Sequence, residues 1–166
     1  MLRPPISYEE VRSRLDVEPF HVLQGDVIRT DAAYFFGTRQ VGNPSYVVAT
    51  STCDLIPGRR EAALLLPIEP RHPSDYESQQ RLESELSNLI VFRSTRYFYL
   101  PQLPDDEPDV LFTLVRVDPF AQCRNDALEL TERRASMTVI GWRVFGAALR
   151  SIQVREAEGE VDIRSG

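Results

Sequence analysis

Four residues with chemically useful side chains follow a single short apolar run. Ser51, Thr52, Cys53 and Asp54 come directly after residues 46–50, a run typical of a buried strand. Loops at strand ends present functional groups, and an aspartate there accepts backbone hydrogen bonds in a turn. The alternative is that Asp54 orients an arginine or a substrate hydroxyl. We therefore expect Ser51, Thr52 and Asp54 to bind a ligand, with Asp54 also a catalytic candidate.

Cys53 is the best single nucleophile in the sequence. Thiolate chemistry requires a neighbouring positive charge or base to lower the pKa of the thiol. Arg59 and Arg60 follow closely and would supply the charge, whereas His21 and His72 are the available bases. Cys53 and Arg59 therefore join Asp54 as catalytic candidates. The competing interpretation is that Cys53 is a small buried apolar residue.

Every basic residue is an arginine, because the 19 basic side chains include no lysine. This absence excludes Walker-type phosphate loops, Schiff-base enzymes and Ser-Lys dyads. Recognition of a phosphate or carboxylate must then use planar, bidentate guanidinium groups. We expect the arginines that face the site beside Asp54 to be Arg39, Arg59, Arg93 and Arg96.

Arginines and aromatic residues interleave in residues 93–101. On a strand, Arg93 and Tyr97 would share one face, and Arg96 and Phe98 the other. Such a face can stack bases and hold phosphates. The alternative is that these aromatic residues belong to the core. We include Arg93, Arg96 and Tyr97 among the predicted binding residues.

Metal and cofactor chemistry is not indicated. The two histidines and two cysteines lack the spacing of a zinc site, and His72 is expected at the surface. The acidic residues of segment 105–109 lack the glycine and the spacing of a calcium loop, so we expect a solvated loop there. We expect no metal, no cofactor and in particular no nucleotide cofactor.

The composition is that of an ordinary globular protein, with 166 residues, 42% hydrophobic residues and a formal net charge of -6. This length predicts a single domain over residues 1–166. No apolar run is long enough to span a bilayer and the N-terminal residues lack a signal core, so we expect a cytoplasmic protein that binds no membrane. The acidic balance favours a protein partner over RNA, and an oligomer is compatible with the sequence.

The pattern of elements predicts an α+β fold, in which hairpin-linked strands form a small, curved antiparallel sheet or barrel. Ser7 and Glu10 form a capping-box pair for an N-terminal helix, and Pro67 suggests that its strand lies at an edge or ends there. Gly141 and Gly146 would let another backbone approach the last helix closely. The expected helices cover 7–16, 79–90 and about 138–152, the barrel core about 25–137 and the charged tail 153–166, with strands within 26–36, 46–50, 62–68, 93–100, 110–117 and 128–137.

The order of three strands resembles the MazF/PemK group. The matching segments are Gly25-Asp26-Val27-Ile28, Tyr46-Val47-Val48-Ala49-Thr50 and Leu64-Leu65-Leu66-Pro67-Ile68. The resemblance implies an SH3-like barrel with appended helices, and a setting in bacterial toxin–antitoxin systems or defence. Many members of the group are endoribonucleases that cleave mRNA.

The catalytic positions of that group are not matched. Its arginine, in an Arg-Pro pair before the second strand, is replaced by Asn43-Pro44, and Ile68-Glu69-Pro70 offers no serine or threonine after the third strand. Without that cation, cleavage of RNA loses its main electrostatic stabilisation. We therefore predict a non-catalytic binding or regulatory module. The alternative is a metal-independent endoribonuclease whose catalytic arginine has moved to Arg39, Arg59 or Arg93.

Overall fold

The computed structural model describes residues 1–7, 9–10, 21–56, 58–91, 93–94 and 96–153. Two longer helices lie within this part of the chain, α1 (Gln79–Ile90) and α2 (Val139–Gln153), with three short 3-10 turns, η1 (Thr52–Leu55), η2 (Pro73–Asp75) and η3 (Asn125–Leu130). The strands are β1 (Leu2–Arg3), β2 (Val27–Arg29), β3 (Ala33–Phe35), β4 (Thr38–Arg39), β5 (Ser45–Val48), β6 (Ala62–Arg71), β7 (Tyr97–Pro101), β8 (Phe112–Arg116), β9 (Ala121–Arg124) and β10 (Glu132–Met137).

The strands form one antiparallel sheet along the path β1–β10–β2–β5–β6–β9–β3–β4, and β8 and β7 extend it from β6. The α+β class is therefore confirmed. The expected closed barrel is not what these strands form, because no ladder joins β1 to β4 within the described part of the chain. The two ends of the main path, β1 and β4, are very short strands of two residues each, a common way to end a sheet, whereas the third edge strand, β7, has five residues.

β6 is the central strand, so the prediction that Pro67 marks an edge strand or a strand end is wrong. β5 pairs along one side of β6, while β9 pairs up to Leu65 and β8 from Ile68 on the other side. Pro67 falls in the gap between these two ladders, where a residue without an N–H group leaves fewer ladder bonds unmade. The strand continues beyond it to Arg71.

The two longer helices agree with the sequence prediction to within one residue. The Ser78 Oγ accepts a hydrogen bond from the Arg81 N–H at the start of α1, as an N-cap should. On α2, a side chain at Gly141 would meet the Met1 carbonyl oxygen at 2.3 Å, which confirms the expected close backbone approach. Among the described residues, a side chain at Gly146 would meet only the Arg150 side chain, and no backbone of another element approaches it.

Two other predictions, the first helix and the charged tail, fall largely outside the described residues. The Ser7 Oγ accepts a hydrogen bond from the Glu10 N–H at 3.1 Å, in agreement with an N-cap. Residues 11–16 of the expected first helix lie outside the described residues, and so do residues 154–166 of the charged tail.

Three hydrophobic clusters fill the space around the sheet. The first lies under β3, β6 and β9, and the third lies between α1 and the β7–β8 pair. The second lies between α2 and one face of the strands β10, β2, β5, β6, β8 and β7, where Phe145 packs against Phe98 of β7 with ring centroids 5.1 Å apart. Its members on β6 are Leu66 and the partly buried Ile68, so this cluster does not extend to the N-terminal half of β6 or to β9 and β3.

The remaining strand predictions are partly wrong. Residues 93, 94 and 96 precede β7 rather than belonging to it, and η3 occupies residues that were expected to begin the last strand. β1, β4 and β9 were not predicted at all. β1 and β4 have two residues each and β9 has four, lengths at which sequence alternation carries little information.

Candidate functional site

The Ser51–Asp54 turn lies at the N-terminal end of β6, where its hydroxyl groups hold backbone together. The Thr52 Oγ1 accepts a hydrogen bond from the Gln24 N–H at 3.0 Å, and the Thr50 Oγ1 accepts one from the Leu64 N–H at 2.7 Å. Ser51 is exposed and its carbonyl accepts from the Asp54 N–H, which closes η1. The threonines of this segment thus have structural partners.

The Asp54 carboxylate forms an ion pair with a neighbouring arginine on the surface, and its role as part of a site stays a prediction. The partner is Arg60, whose Nε lies 3.2 Å from the Asp54 carboxylate. The Cys53 thiol is exposed, so its side chain is not the buried apolar group of the alternative interpretation. Arg59 is exposed on the same loop. The candidates Asp54, Cys53 and Arg59 therefore lie on one surface loop.

The predicted binding residues on segment 93–97 lie elsewhere. Arg93 and Tyr97 line a groove beside α1, and none of the Ser51–Asp54 residues lines it. Phe98, expected to share a face with Arg96, is buried in the cluster under α2. The structure thus does not bring the Ser51–Asp54 turn and the segment 93–101 together into one groove.

The groove beside α1, here called the α1 groove, is open to solvent and has a volume of about 1290 Å³. Its walls come from α1, from η2 and from the ends of β6 and β7. The Tyr76 hydroxyl donates a short hydrogen bond to the Glu85 carboxylate across it. Burial and this bond to a carboxylate raise the pKa of Tyr76, so the phenol remains a donor.

Arg39 lies in a second exposed region, the outer face of β3, β4 and β9. This region, here called the β3–β9 face, continues the sheet face that α2 covers at β5 and the middle of β6. Tyr34 projects from it at 42% exposure, because its strand partners Arg39 and Gln122 point the same way. Phe120, just before β9, is also exposed. Both arginines of this face, Arg39 and Arg124, form ion pairs with neighbouring aspartates.

The tip of the β3–β4 hairpin presents an unusual residue. Phe36 and Gly37 connect the strands, and both have positive φ, 46° and 81°, as a type I′ turn requires. Asparagine, aspartate and glycine normally fill such positions, whereas a bulky side chain is strained there. The Phe36 side chain is nevertheless 94% exposed. A strained aromatic residue is thus held out into solvent without contributing to the core.

The acidic segment 105–109 corrects another expectation, because it is not merely solvated. The Arg134 guanidinium donates two hydrogen bonds of 2.8 Å to Asp105 and one of 2.8 Å to Asp106, and it also reaches the Ser45 hydroxyl. Its side chain is only 8% exposed. Burial alone would raise the pKa of Asp105, but the bonds from Arg134 hold it below its usual value. A separation of 29 residues gave no sequence signal for this cluster.

Buried titratable groups elsewhere are poor reagents. Burial raises the pKa of Cys123 to about 11 and that of Tyr46 to about 12, so both are protonated near neutral pH. Burial also raises the pKa of Asp26, whose carboxylate accepts the Leu23 N–H. The His72 Nδ1 lies 3.2 Å from the Asp109 carboxylate. The His72 side chain is partly exposed, in agreement with its expected surface position.

Metal-binding clusters and membrane-spanning helices are both absent from the described part of the chain. It holds no group of three or more His, Cys, Asp or Glu side chains arranged to bind a metal ion. It also holds no helix with the length and apolar character needed to cross a membrane.

Comparisons with known proteins give no family assignment. No protein-family model matches the chain, and no curated protein was found that resembles it significantly.

Proposed function

We propose that this protein is a non-catalytic binding module that engages a protein partner through the β3–β9 face and the Phe36 tip. The observation that carries the proposal is the exposed Phe36 at positive φ. Backbone strain is retained where the surrounding structure or a function requires it, and apolar anchors of this kind dominate the binding energy of protein interfaces.

The sheet around Phe36 supports the same conclusion. Tyr34 and Phe120 add aromatic surface, and aromatic residues are enriched at protein interfaces. Half-buried Leu64 lies beside Gln122 on this face. Among the described residues, no helix packs on this part of the sheet face, which leaves apolar surface for a partner to bury.

The charges favour a protein over RNA. The Arg39 guanidinium lies 3.2 Å from the Asp31 carboxylate, and Arg124 is paired with Asp126. Binding to a nucleic acid backbone depends on arginines that are free to neutralise phosphates. On this face their charges are already balanced, and the chain as a whole is acidic.

The proposal includes an SH3-like strand order in an open sheet and a relationship to the MazF/PemK group. The path β10–β2–β5–β6–β9, with η3 between β9 and β10, has the strand order of an SH3-like barrel. The β3–β4 hairpin then corresponds to the long loop between the first two barrel strands. The proposed setting in toxin–antitoxin systems or defence rests on this strand order alone.

The endoribonuclease alternative gains no support from the described geometry. Asp54 is paired with Arg60, and neither Arg39 nor Arg93 forms an ion pair with it. Arg59 is exposed on the same loop but forms no ion pair with Asp54 either. It is therefore kept as an outcome of the test rather than as a second proposal.

The test uses the purified chain as bait in an extract of its host cells. We expect a protein that binds the unaltered chain but not Phe36→Asp. Ile90→Asp is the matched control, because Ile90 is also exposed but lies at the end of α1. Thermal unfolding must show that both variants fold. Equal capture by Phe36→Asp would contradict the proposal, as would cleavage of a long RNA by the purified chain in EDTA.

A further inference from the structure

One side of α2 faces away from the sheet. The helix packs inward through its buried residues, among them Phe145, Ala148 and Leu149. On the outer side, residues three, four and seven positions apart line up along the helix and form a surface here called the α2 stripe. Its members are Val139, Trp142, Arg143, Gly146 and Arg150.

The α2 stripe exposes large apolar side chains at its N-terminal end. Val139 is 65% exposed, and the flanking Ile140 is 73% exposed. The Trp142 Nε1 donates a hydrogen bond to the Gln24 Oε1 at 3.1 Å, and the Gln24 amide donates in turn to the Ala49 carbonyl oxygen at 2.9 Å. The half-exposed indole is therefore held in place before any partner binds. Tryptophan is enriched among the residues that contribute most to the binding energy of protein interfaces.

The same stripe carries two positive charges and no negative charge. α2 contains no aspartate or glutamate, and neither Arg143 nor Arg150 forms an ion pair with a described residue. The Arg150 Nη1 lies 3.5 Å from the point where a Cβ on Gly146 would stand, so this guanidinium lies on the turn next to Arg143. Like charges that are close on a helix surface repel each other. The carboxylates that would neutralise them have to come from outside α2.

We propose that the α2 stripe binds an acidic amphipathic helix of a partner protein. A helix fits because the stripe itself has helical spacing, and Gly146 leaves a gap into which a side chain of a neighbouring helix can pack. Apolar side chains of the partner helix cover Val139 and Trp142, while its glutamates or aspartates pair with Arg143 and Arg150.

The charges and the small apolar area disfavour other occupants. A second copy of this chain would bring its own two stripe arginines against these two without supplying a carboxylate from α2. Binding of an RNA backbone depends on several phosphate contacts, and the stripe has only two arginines. Insertion into a lipid surface needs a free apolar helix face, whereas most apolar residues of α2 are buried against the sheet. The stripe shares no residue with the β3–β9 face, so this proposal does not depend on the first one.

The experiment is site-specific photo-crosslinking of the full chain in its host cells. Ala147→p-benzoylphenylalanine places a photoreactive group at an exposed position beside the stripe. Ser87→p-benzoylphenylalanine is the matched control, because Ser87 is exposed on α1 instead. Mass spectrometry of the cross-linked peptides should identify, at position 147 and not at position 87, one segment of another protein. That segment should have a net negative charge and the apolar periodicity of an amphipathic helix.

Variants of the two arginines test the charge. Arg143→Gln combined with Arg150→Gln should lower the cross-linked yield at position 147 at least about tenfold. Arg143→Lys combined with Arg150→Lys keeps both charges and should lower it less than about threefold. Thermal unfolding midpoints close to that of the unaltered chain must show that the variants fold, which exposed side chains without ion-pair partners allow.

Several results would overturn the proposal. They are the absence of a cross-link at position 147, and a cross-link there to a basic segment, to another copy of this chain, to its own residues 154–166, to RNA or to lipid. A glutamine pair that cross-links as well as the unaltered chain would overturn it too, as would a lysine pair that loses as much yield as the glutamine pair.

Discussion

The Arg134 cluster and the α1 groove use the same side chain in opposite ways. Arg134 is almost fully buried, and every one of its bonds ends on a carboxylate or a hydroxyl that the fold supplies. Arg93 lines an open groove without an ion-pair partner among the described residues. Arginine is the cation in both places, so residue type alone does not separate a buried structural group from an exposed one. Burial does, because a buried guanidinium must find its partners within the fold, whereas an exposed one is solvated by water.

The largest expected effect comes from breaking the buried cluster. Arg134→Met leaves Asp106, only 9% exposed, without its charged partner, and the free energy of unfolding should fall by about 3–5 kcal/mol. Urea unfolding followed by circular dichroism measures this. The control is Arg124→Met, which removes an exposed pair and should leave the midpoint unchanged. Similar losses in both variants would mean that burial does not distinguish these arginines.

The effect of Arg134→Met should depend on pH. Because the pKa of Asp105 lies below 3.8 in the folded protein, the stability that the pair contributes is fully present above that value. It is lost as the pH falls through the lowered pKa. Urea midpoints of the unaltered chain and the variant should therefore differ equally at pH 7 and pH 5 and converge below pH 3.8. A constant difference at all pH values would show that lost packing, and not charge, causes the effect.

A smaller effect separates two glycines on the same helix. Gly141→Ala should destabilise the protein by about 1–3 kcal/mol, because the new methyl group meets the Met1 carbonyl. Gly146→Ala should stabilise it by about 0.5–1 kcal/mol through better helix propensity, since its only neighbour is a flexible arginine end at 3.5 Å. The midpoints of thermal unfolding of the two variants measure these opposite changes in stability. A shift in the same direction for both would argue against the contact between Met1 and α2.

Substitution of Phe36 at the hairpin tip should raise the free energy of unfolding, whereas substitution of Arg134 should lower it. Phe36→Asn places a residue that tolerates positive φ in the turn, so the free energy of unfolding should rise by about 1 kcal/mol. Binding of the partner captured by the unaltered chain should weaken at the same time. Urea unfolding and the capture assay measure the two effects. A loss of stability would show that Phe36 has a structural role.

Arg93→Gln should have the smallest effect on folding. The exposed guanidinium has no ion-pair partner among the described residues, so the urea midpoint of the variant should match that of the unaltered chain. A destabilised Arg93→Gln protein would remove the distinction between the two arginines.

The sequence predicted those parts of the fold in which a periodic pattern runs for many residues. Leu82, Leu86 and Leu89 marked α1, and all three pack in the cluster between α1 and the β7–β8 pair. The continuous apolar run at 46–50 marked β5 (Ser45–Val48). The two residues of β1 could not be predicted, because pairing with β10 rather than local preference makes them a strand.

The site was predicted less well, because it depends on contacts between distant residues. The sequence identified Asp54 and a nearby arginine, but whether the partner would be Arg59 or Arg60 depends on how the loop turns. It could not show that residues 105 and 106 meet Arg134, nor that Tyr97 and Ser51 are far apart in the fold. The Phe36-Gly37 turn was detectable through its glycine, but the exposure of Phe36 was not.

The position of β6 has a consequence for how the molecule unfolds. Its residues Ala63 and Leu65 belong to the cluster under β3 and β9, whereas Leu66 belongs to the cluster under α2. Neither cluster can open without exposing the other side of the same strand, so the two should melt as one cooperative unit. The backbone amides at the centre of β6 should then be among the last in the protein to exchange with deuterium.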